Sequence, residues 1–212
     1  MIELSNIRKS YGGNVVYDGF DFSIEENRIL CVLGESGSGK TTLLNILAAI
    51  TPFEGQIKGQ VSPVSFVFQK DRLVKNLTVK ENLKLVCPDA DITSALESIG
   101  LGEYADAYPK TLSAGMARRV AILRAFLYPS ALLLMDEPFV NLDVKLKYLL
   151  IQTVKDMQKS NPKTIVCVTH DIKEAVLLAD RITLLKKGKI IYDTHKTDAD
   201  AEKTLFDLMI NG

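Results

Sequence analysis

Residues 29–42 read Ile29-Leu30-Cys31-Val32-Leu33-Gly34-Glu35-Ser36-Gly37-Ser38-Gly39-Lys40-Thr41-Thr42. The apolar run that opens this stretch reads as a strand. Behind it, Leu43, Leu44, Leu47 and Ile50 recur at helical spacing, until Thr51, Pro52 and Gly55 end the helix. Between strand and helix, Gly34 to Thr41 match the phosphate-binding loop pattern. Glycines let the backbone curl so that successive N–H groups point inward at phosphate oxygens. The helix that follows presents its positive end to the same anion. Lys40 can reach the β and γ phosphates, and the Thr41 hydroxyl can coordinate Mg²⁺. A bare glycine-rich strand-to-helix turn would not require Lys and then Thr at that place. The stretch therefore specifies a nucleotide phosphate, and is silent on what the phosphate energy drives.

The rest of the chain sets bounds. It has 212 residues, 47% hydrophobic and 25% charged, which is a globular balance sized for one domain with a small insertion. Lys plus Arg is 26 and Asp plus Glu is 26, so no global charge draws the chain to nucleic acid or to an anionic bilayer. No apolar run approaches the roughly 20 residues that cross a bilayer. The opening MIELSNIRKSYGG has no long apolar segment of the secretory kind, so a cytosolic chain with at most a peripheral membrane role is expected. Cys31 and Cys167 lie in strand-like runs, Cys87 precedes Pro88, and His170 and His195 are far apart. Reduced, buried thiols and no zinc cluster are the expectation.

Strand and helix signals then alternate. IELSNI and VVYDGFDFSI carry β-branched and aromatic residues between turn signals, and QIKGQVSPVSFVFQ is a further β stretch. From Lys70 to about Tyr128 the character is helical, with Ile92, Leu96 and Ile99 closed by Gly100, and with Met116, Val120 and Leu123. ALLLMDEP and TIVCVTH are short apolar runs without alternation, as strands covered on both faces must be. VKLKYLLIQTVKDMQK and KEAVLLAD read as helices, ITLLKKGKIIYDT as a hairpin turning at Lys187 and Gly188, and residues 198–212 as a last helix. Buried strands alternating with helices argue for a mainly parallel sheet, with a helical insertion from about 71 to 128.

Two more elements carry chemistry. In Leu132-Leu133-Leu134-Met135-Asp136-Glu137-Pro138, a strand delivers adjacent carboxylates beside the phosphate loop. Asp136 can hold the Mg²⁺ water shell, and Glu137 is placed to polarise an attacking water. In Leu112-Ser113-Ala114-Gly115-Met116 a helix begins, and Ser113 alone would be an ordinary N-cap.

With these in order, the chain resembles, over essentially its full length, the nucleotide-binding subunit of ATP-binding cassette (ABC) transporters. The order is the phosphate loop, Gln69, LSAGM, LLLMDEP, Asn141-Leu142-Asp143 and His170. The resemblance implies fold class α/β: a P-loop NTPase core with a mainly parallel sheet, an N-terminal antiparallel β subdomain and an inserted helical subdomain. The whole of 1–212 would be one domain, with core and β subdomain at about 1–70 and 129–212 and the helical subdomain at about 71–128. ATP and Mg²⁺ are the implied ligands. By resemblance, Tyr11 stacks on adenine with Val16 beside it, and residues 34–42 hold the triphosphate. Gln69 touches the Mg²⁺ shell and senses the transporter, and Asp136 supports Mg²⁺ with Thr41. Glu137 is the general base, and His170 contacts the γ-phosphate. Ser113 and Gly115 bind the γ-phosphate of the opposite subunit, and Asp143 lies at the dimer seam.

The sequence departs from the family in three places, the first two being Ala114 where glycine is usual and Val140-Asn141-Leu142-Asp143 where Ser-Ala-Leu-Asp is commoner. KDRLVKNLTVKENL, LSAGM and LLLMDEPF resemble importer subunits, the nitrate, sulfonate and taurine branch above all, although the first segment lacks an aromatic often found there. The implied activity is ATP hydrolysis that powers solute transport through head-to-tail dimerisation around two ATP. The implied partners are membrane-spanning permease subunits docking near residues 70–86, a second copy of the chain, and a separate solute-binding protein, with no nucleic acid. The place is the cytoplasmic face of the cell membrane. The chain stops soon after the hairpin, so no added C-terminal regulatory domain is expected. Two other readings remain: an exporter, lipoprotein-release or cell-division ATPase, and a soluble switch in translation or DNA repair. The latter types carry two cassettes or long coiled coils, which this chain lacks.

Overall fold

Alternation at the N-terminus builds a hairpin. The computed structural model describes residues 1–195 and 200–211. Strand β1 (Ile2–Tyr11) buries Ile2, Leu4 and Ile7, and β2 (Asn14–Ile24) buries Tyr17, Phe20, Phe22 and Ile24 on the same face. They pair antiparallel from Ile2↔Ile24 to Tyr11↔Asn14. Next come β3 (Ile29–Leu33), α1 (Lys40–Leu47), β4 (Glu54–Lys58) and β5 (Val64–Val67). The helical segment holds α2 (Val79–Lys84), α3 (Ile92–Ser98), two one-turn 3₁₀ helices at Gly102–Tyr104 and Pro109–Thr111, and α4 (Ala114–Leu127). Then follow β6 (Leu132–Asp136), α5 (Val144–Ser160), β7 (Thr164–Thr169), α6 (Ile172–Leu178), β8 (Arg181–Lys186), β9 (Lys189–His195) and α7 (Ala201–Asn211).

Two sheets result. The smaller runs β2-β1-β4 and is antiparallel. The larger runs β5-β6-β7-β3-β8-β9, parallel except for β9. The missing alternation in its central strands has a direct cause. Cys31, Leu33, Leu133, Met135, Ile165 and Cys167 enter one core with α5, α6 and Leu205 of α7. Leu30, Val32, Leu132, Leu134, Val166 and Val168 enter another with α1 and the small sheet. Every strand position is thus buried on one face or the other. A third core joins Val79, Leu83, Ile92, Leu96, Val120 and Leu123 among α2, α3 and α4. Cys31 and Cys167 are fully buried, and the described cysteines are free thiols.

Three sequence expectations shift. The first helix ends at Leu47 rather than running on to Ile50, which is 60% exposed. Ala49 turns left-handed at φ 55°, and the Ile50 N–H closes back on the Asn45 carbonyl at 2.9 Å. QIKGQVSPVSFVFQ is not one β stretch: β4 joins the small sheet and β5 the large one. The last helix begins at Ala201, while 198, 199 and 212 of its expected span lie outside the described residues.

Candidate functional site

Three neighbouring parallel strands deliver the site. In the order β6-β7-β3, their carboxyl ends lead to Asp136–Glu137, to His170 and to the phosphate loop. In open α/β sheets this edge is where ligands bind. The loop between β3 and α1 is braced from behind. The Tyr17 hydroxyl donates to the Gly39 carbonyl at 2.9 Å, and the Gly188 N–H donates to the Ser38 carbonyl at 3.0 Å. Burial pushes the Tyr17 phenol well above its ordinary pKa, so it stays a donor. Both braces demand glycine. A Cβ on Gly39, at φ 114°, would lie 2.9 Å from the Tyr17 hydroxyl. One on Gly188, at φ 72°, would lie 1.9 Å from the Val16 carbonyl oxygen.

The Lys40 side chain folds into this loop and donates to the carbonyls of Gly34 at 2.6 Å and Glu35 at 2.9 Å. Burial lowers its pKa, against the opposing pull of Glu137, Asp136 and Glu35. Glu35, Ser36 and Gly37 are exposed, and Thr42 is half-buried on α1. The Ser38 hydroxyl is buried without a hydrogen-bond partner. An orphaned buried hydroxyl beside a buried ammonium fits an anion seated in the loop.

Thr41 Oγ1 stands 3.4 and 3.5 Å from the two Asp136 carboxylate oxygens. Burial raises the Asp136 pKa; the Thr41 hydroxyl and Lys40 oppose it, and Glu137 adds to it. A dication would reverse that balance. Among the described residues, no group of three His, Cys, Asp or Glu could cage a metal. One carboxylate plus a hydroxyl instead fits Mg²⁺, which is held by few carboxylates and by substrate phosphates.

Glu137 leaves the strand line by a left-handed backbone, φ 44°, with its N–H donating to the Val168 carbonyl at 3.0 Å. Such a conformation costs a non-glycine residue roughly 1–3 kcal/mol and clusters at functional sites. Here it brings Glu137 Oε1 to 3.3 Å from His170 Nδ1. A carboxylate so held can accept a proton from water, and the imidazole can orient it.

The structure brings Lys40, Thr41, Asp136, Glu137 and His170 together. It does not bring Ser113 or Gly115 to them: among the described residues no hydrogen bond or ion pair joins these two to residues 34–42. Ser113 caps α4, its Oγ accepting from the Met116 N–H at 3.3 Å. Gly115 lets α4 approach α5, since a Cβ there would lie 2.6 Å from Leu146 Cδ2. Asp143 caps α5 by accepting from the Leu146 N–H at 2.9 Å. Gln69 is exposed, two residues past β5 rather than on the strand, and its carbonyl accepts from Arg118. Tyr11 is 45% exposed, with Lys9 Nζ 4.5 Å from its ring centroid, and Val16 is half-buried against the phosphate-loop side of the small sheet.

Sequence reasoning missed the residues behind these. Lys147 of α5 lies 2.6 Å from Glu174 Oε1 and 3.1 Å from Asp171 Oδ2. Thr169 Oγ1 donates to Glu174 Oε2 at 2.5 Å and accepts from the Asp171 N–H at 3.1 Å. His170 thus sits between two anchored neighbours. Tyr17 was legible only as a strand aromatic, and Arg118 only as a helix charge.

The profile described as "ABC transporter" matches residues 17–140. The aliphatic sulfonates import ATP-binding protein SsuB 2 of Paraburkholderia xenovorans is 39% identical, over 92% of this chain and 80% of that protein. SsuB 1 of Pseudomonas syringae pv. syringae is 38% identical, over 84% of this chain and 77% of that protein. A solved dimer of the cassette MJ0796, bound to ADP and phosphate, superposes with TM-score 0.79 at 28% identity, covering 93% of this chain and 100% of that one. CbiO1 of Clostridium perfringens, part of an ABC transporter complex, shares the fold at TM-score 0.85, covering 99% of this chain and 95% of that one at 23% identity. The chain belongs to the ABC transporter family, as its ATP-binding and ATP-hydrolysing cassette.

Proposed function

We propose that this ATPase drives a solute importer, working as a head-to-tail dimer on the cytoplasmic face of the membrane. The observation that carries the chemistry is the convergence of Lys40, Thr41, Asp136, Glu137 and His170 at the ends of three adjacent strands. Residues 34–42 hold the triphosphate, with Lys40 leaving its carbonyl partners for the β and γ phosphates. Tyr11 stacks on adenine with Val16 beside it. Thr41, Asp136 and Gln69 hold Mg²⁺ and its water shell, and the ion supplies charge neutralisation at the transferring phosphoryl group. Glu137 takes the proton of the attacking water, and His170 holds Glu137 in place and meets the γ-phosphate. Ser113 and Gly115 complete the partner's site, and Asp143 lies at the seam.

Residues 1–212 act as one cassette, with 71–128 as its helical subdomain and 70–86 as the seat of a permease. No described helix is long and apolar enough to cross a membrane, so separate permease subunits carry the pathway. The relatives named for import of aliphatic sulfonates support the importer reading and a sulfonate-like solute class. A separate binding protein delivers that solute. Glu137→Gln tests the site: it keeps the shape but cannot accept a proton, so turnover falls about 10²–10⁴-fold while ATP is retained. Size-exclusion chromatography of that variant with ATP should show a dimer. A monomer with unimpaired turnover would reject the role given to Glu137.

A further inference from the structure

One residue separates Gln69 from the end of β5, yet its backbone is held by a different element. Arg118 of α4 donates through Nη1 to the Phe68 carbonyl at 2.7 Å and through Nη2 to the Gln69 carbonyl. Arg124 of α4 donates through Nη1 to the Arg72 carbonyl at 3.1 Å and through Nη2 to the Asp71 carbonyl at 3.3 Å. Two guanidinium forks therefore take the carbonyls of residues 68, 69, 71 and 72. Arg118 Nε also stands 3.1 Å from Asp71 Oδ1, with the Arg118 side chain only 6% exposed. Arg72 lies 3.6 Å over the Phe68 ring and turns the strap at φ 47°. The strap's exit is tied to α2: the Val74 N–H donates to Asn82 Oδ1 at 2.8 Å, and Asn82 Nδ2 donates to the Val74 carbonyl at 3.0 Å. Each guanidinium bond is charge-assisted, and a planar fork fixes two acceptors at once.

We propose that Arg118 and Arg124 are positioning residues that fasten the 68–72 strap to α4, so that Gln69 moves with the helix Ser113 caps. The proposal rests on the reading of Gln69 given above. Its consequence is mechanical. The side chain assigned to one subunit's Mg²⁺ shell and the serine assigned to the partner's γ-phosphate belong to one rigid piece. A push on residues 70–86 displaces both together.

The test uses the full chain. Arg118→Gln should raise the Mg²⁺ concentration for half-maximal ATP hydrolysis by about tenfold, the scale of one charge-assisted hydrogen bond. ATP affinity in Mg²⁺-free buffer should not change. Gln69→Ala should move the Mg²⁺ dependence in the same direction, and the double variant should move it no further. A normal Mg²⁺ dependence in Arg118→Gln, beside a shifted one in Gln69→Ala, overturns the clamp and leaves Gln69's role standing. A silent Gln69→Ala overturns that role and the clamp's purpose with it.

If Arg118→Gln does not fold, spin-label distances in a chain that keeps both arginines decide. Labels go on a Cys87→Ser background, in mixed dimers with unlabelled chain. Lys70→Cys to Lys110→Cys should stay constant between the ATP-free chain and the ATP-held Glu137→Gln dimer, while Lys70→Cys to Lys189→Cys changes. Any other pattern overturns the proposal.

Discussion

Lys147→Met removes the only cation within the Asp171–Glu174 cluster that the ion-pair geometry shows among the described residues, and its cost can be worked from burial. The Lys147 side chain is 25% exposed, Glu174 7% and Asp171 32%. Breaking a buried pair from one side costs about 3–5 kcal/mol, because the remaining charge is left desolvated. Two of these three groups reach solvent, which places the loss at the lower end, about 3 kcal/mol. For a chain of this size, 1 kcal/mol moves Tm by roughly 2–4 °C, so a drop of about 6–12 °C is expected. Adding Glu174→Gln should recover most of it, since no uncompensated carboxylate then stays buried.

The pH dependence has a definite sign. Asp171 is held below the usual carboxylate range by the Lys147 hydrogen bond and by backbone N–H groups, which outweigh its own burial. Its contribution is present above its unfolded pKa, about 3.9, and is lost as pH falls through the lower folded value. Lys147 is raised above its ordinary value, burial being outweighed by Glu174 and Asp171. Its contribution is full below about pH 10.4 and is lost as pH rises through the folded value. The Tm gap between the native chain and Lys147→Met should therefore hold at neutral and mildly alkaline pH, narrow above about pH 10 as Lys147 loses its charge, and narrow on the acid side once the carboxylates left behind in the variant take up protons. Differential scanning calorimetry across pH measures it. A gap under about 1 °C at pH 7, or no recovery with Glu174→Gln, refutes the argument.

Lys40→Ala should abolish most ATP affinity by calorimetry, because the triphosphate loses its counter-charge inside a loop built around it; near-normal binding would discredit the phosphate-loop assignment. Tyr11→Ala should weaken ATP and GTP binding to a similar mild extent, since a ring face does not read base edges, and a loss confined to ATP contradicts stacking. Ser113→Arg should bind ATP as the native chain does yet fail to hydrolyse it, because the bulk obstructs closure across the dimer. Normal turnover in that variant would reduce Ser113 to the helix cap seen within one chain.

What the sequence showed and what it hid divide along one line. The phosphate loop and LLLMDEP are contiguous, and each needs particular residue types at adjacent positions, so they could be read directly, whereas Ser113 of LSAGM read only as a helix cap until the resemblance to the family implied another role. The central strands were legible because burial on both faces removes alternation, as the split of Cys31 and Val32 into opposite cores shows. The supports were not legible. Arg118 and Phe68 are 50 residues apart, and Tyr17 and Gly39 are 22 apart. Lys147 follows Lys145 in VKLKYLL and looks like any solvated charge on an amphipathic helix. Only tertiary packing tells that one of the two lysines faces Glu174. Ile50 misled for the converse reason: its spacing fits a helix, but the left-handed Ala49 breaks the helix first.

The same division bears on the proposed sharing of the site between two chains. The phosphate loop, the carboxylates and His170 follow three strands that are neighbours in one sheet, so a single parallel core sets their spacing. Ser113 belongs to α4, which contributes Val120 and Leu123 to a separate core with α2 and α3. Farther along, α4 also enters the sheet's own core through Ile122, Ala125 and Phe126, yet no described hydrogen bond or ion pair joins Ser113 to the phosphate loop. A γ-phosphate contact made by Ser113 would then come through motion of one body against another, or from a second copy of the chain. Hydrolysis that depends on such a contact is gated by closure, and closure is an event a transporter can sense and exploit. On the roles proposed for Glu137 and Ser113, the two are parts of one requirement: chemistry would be prepared within the subunit and released only by assembly.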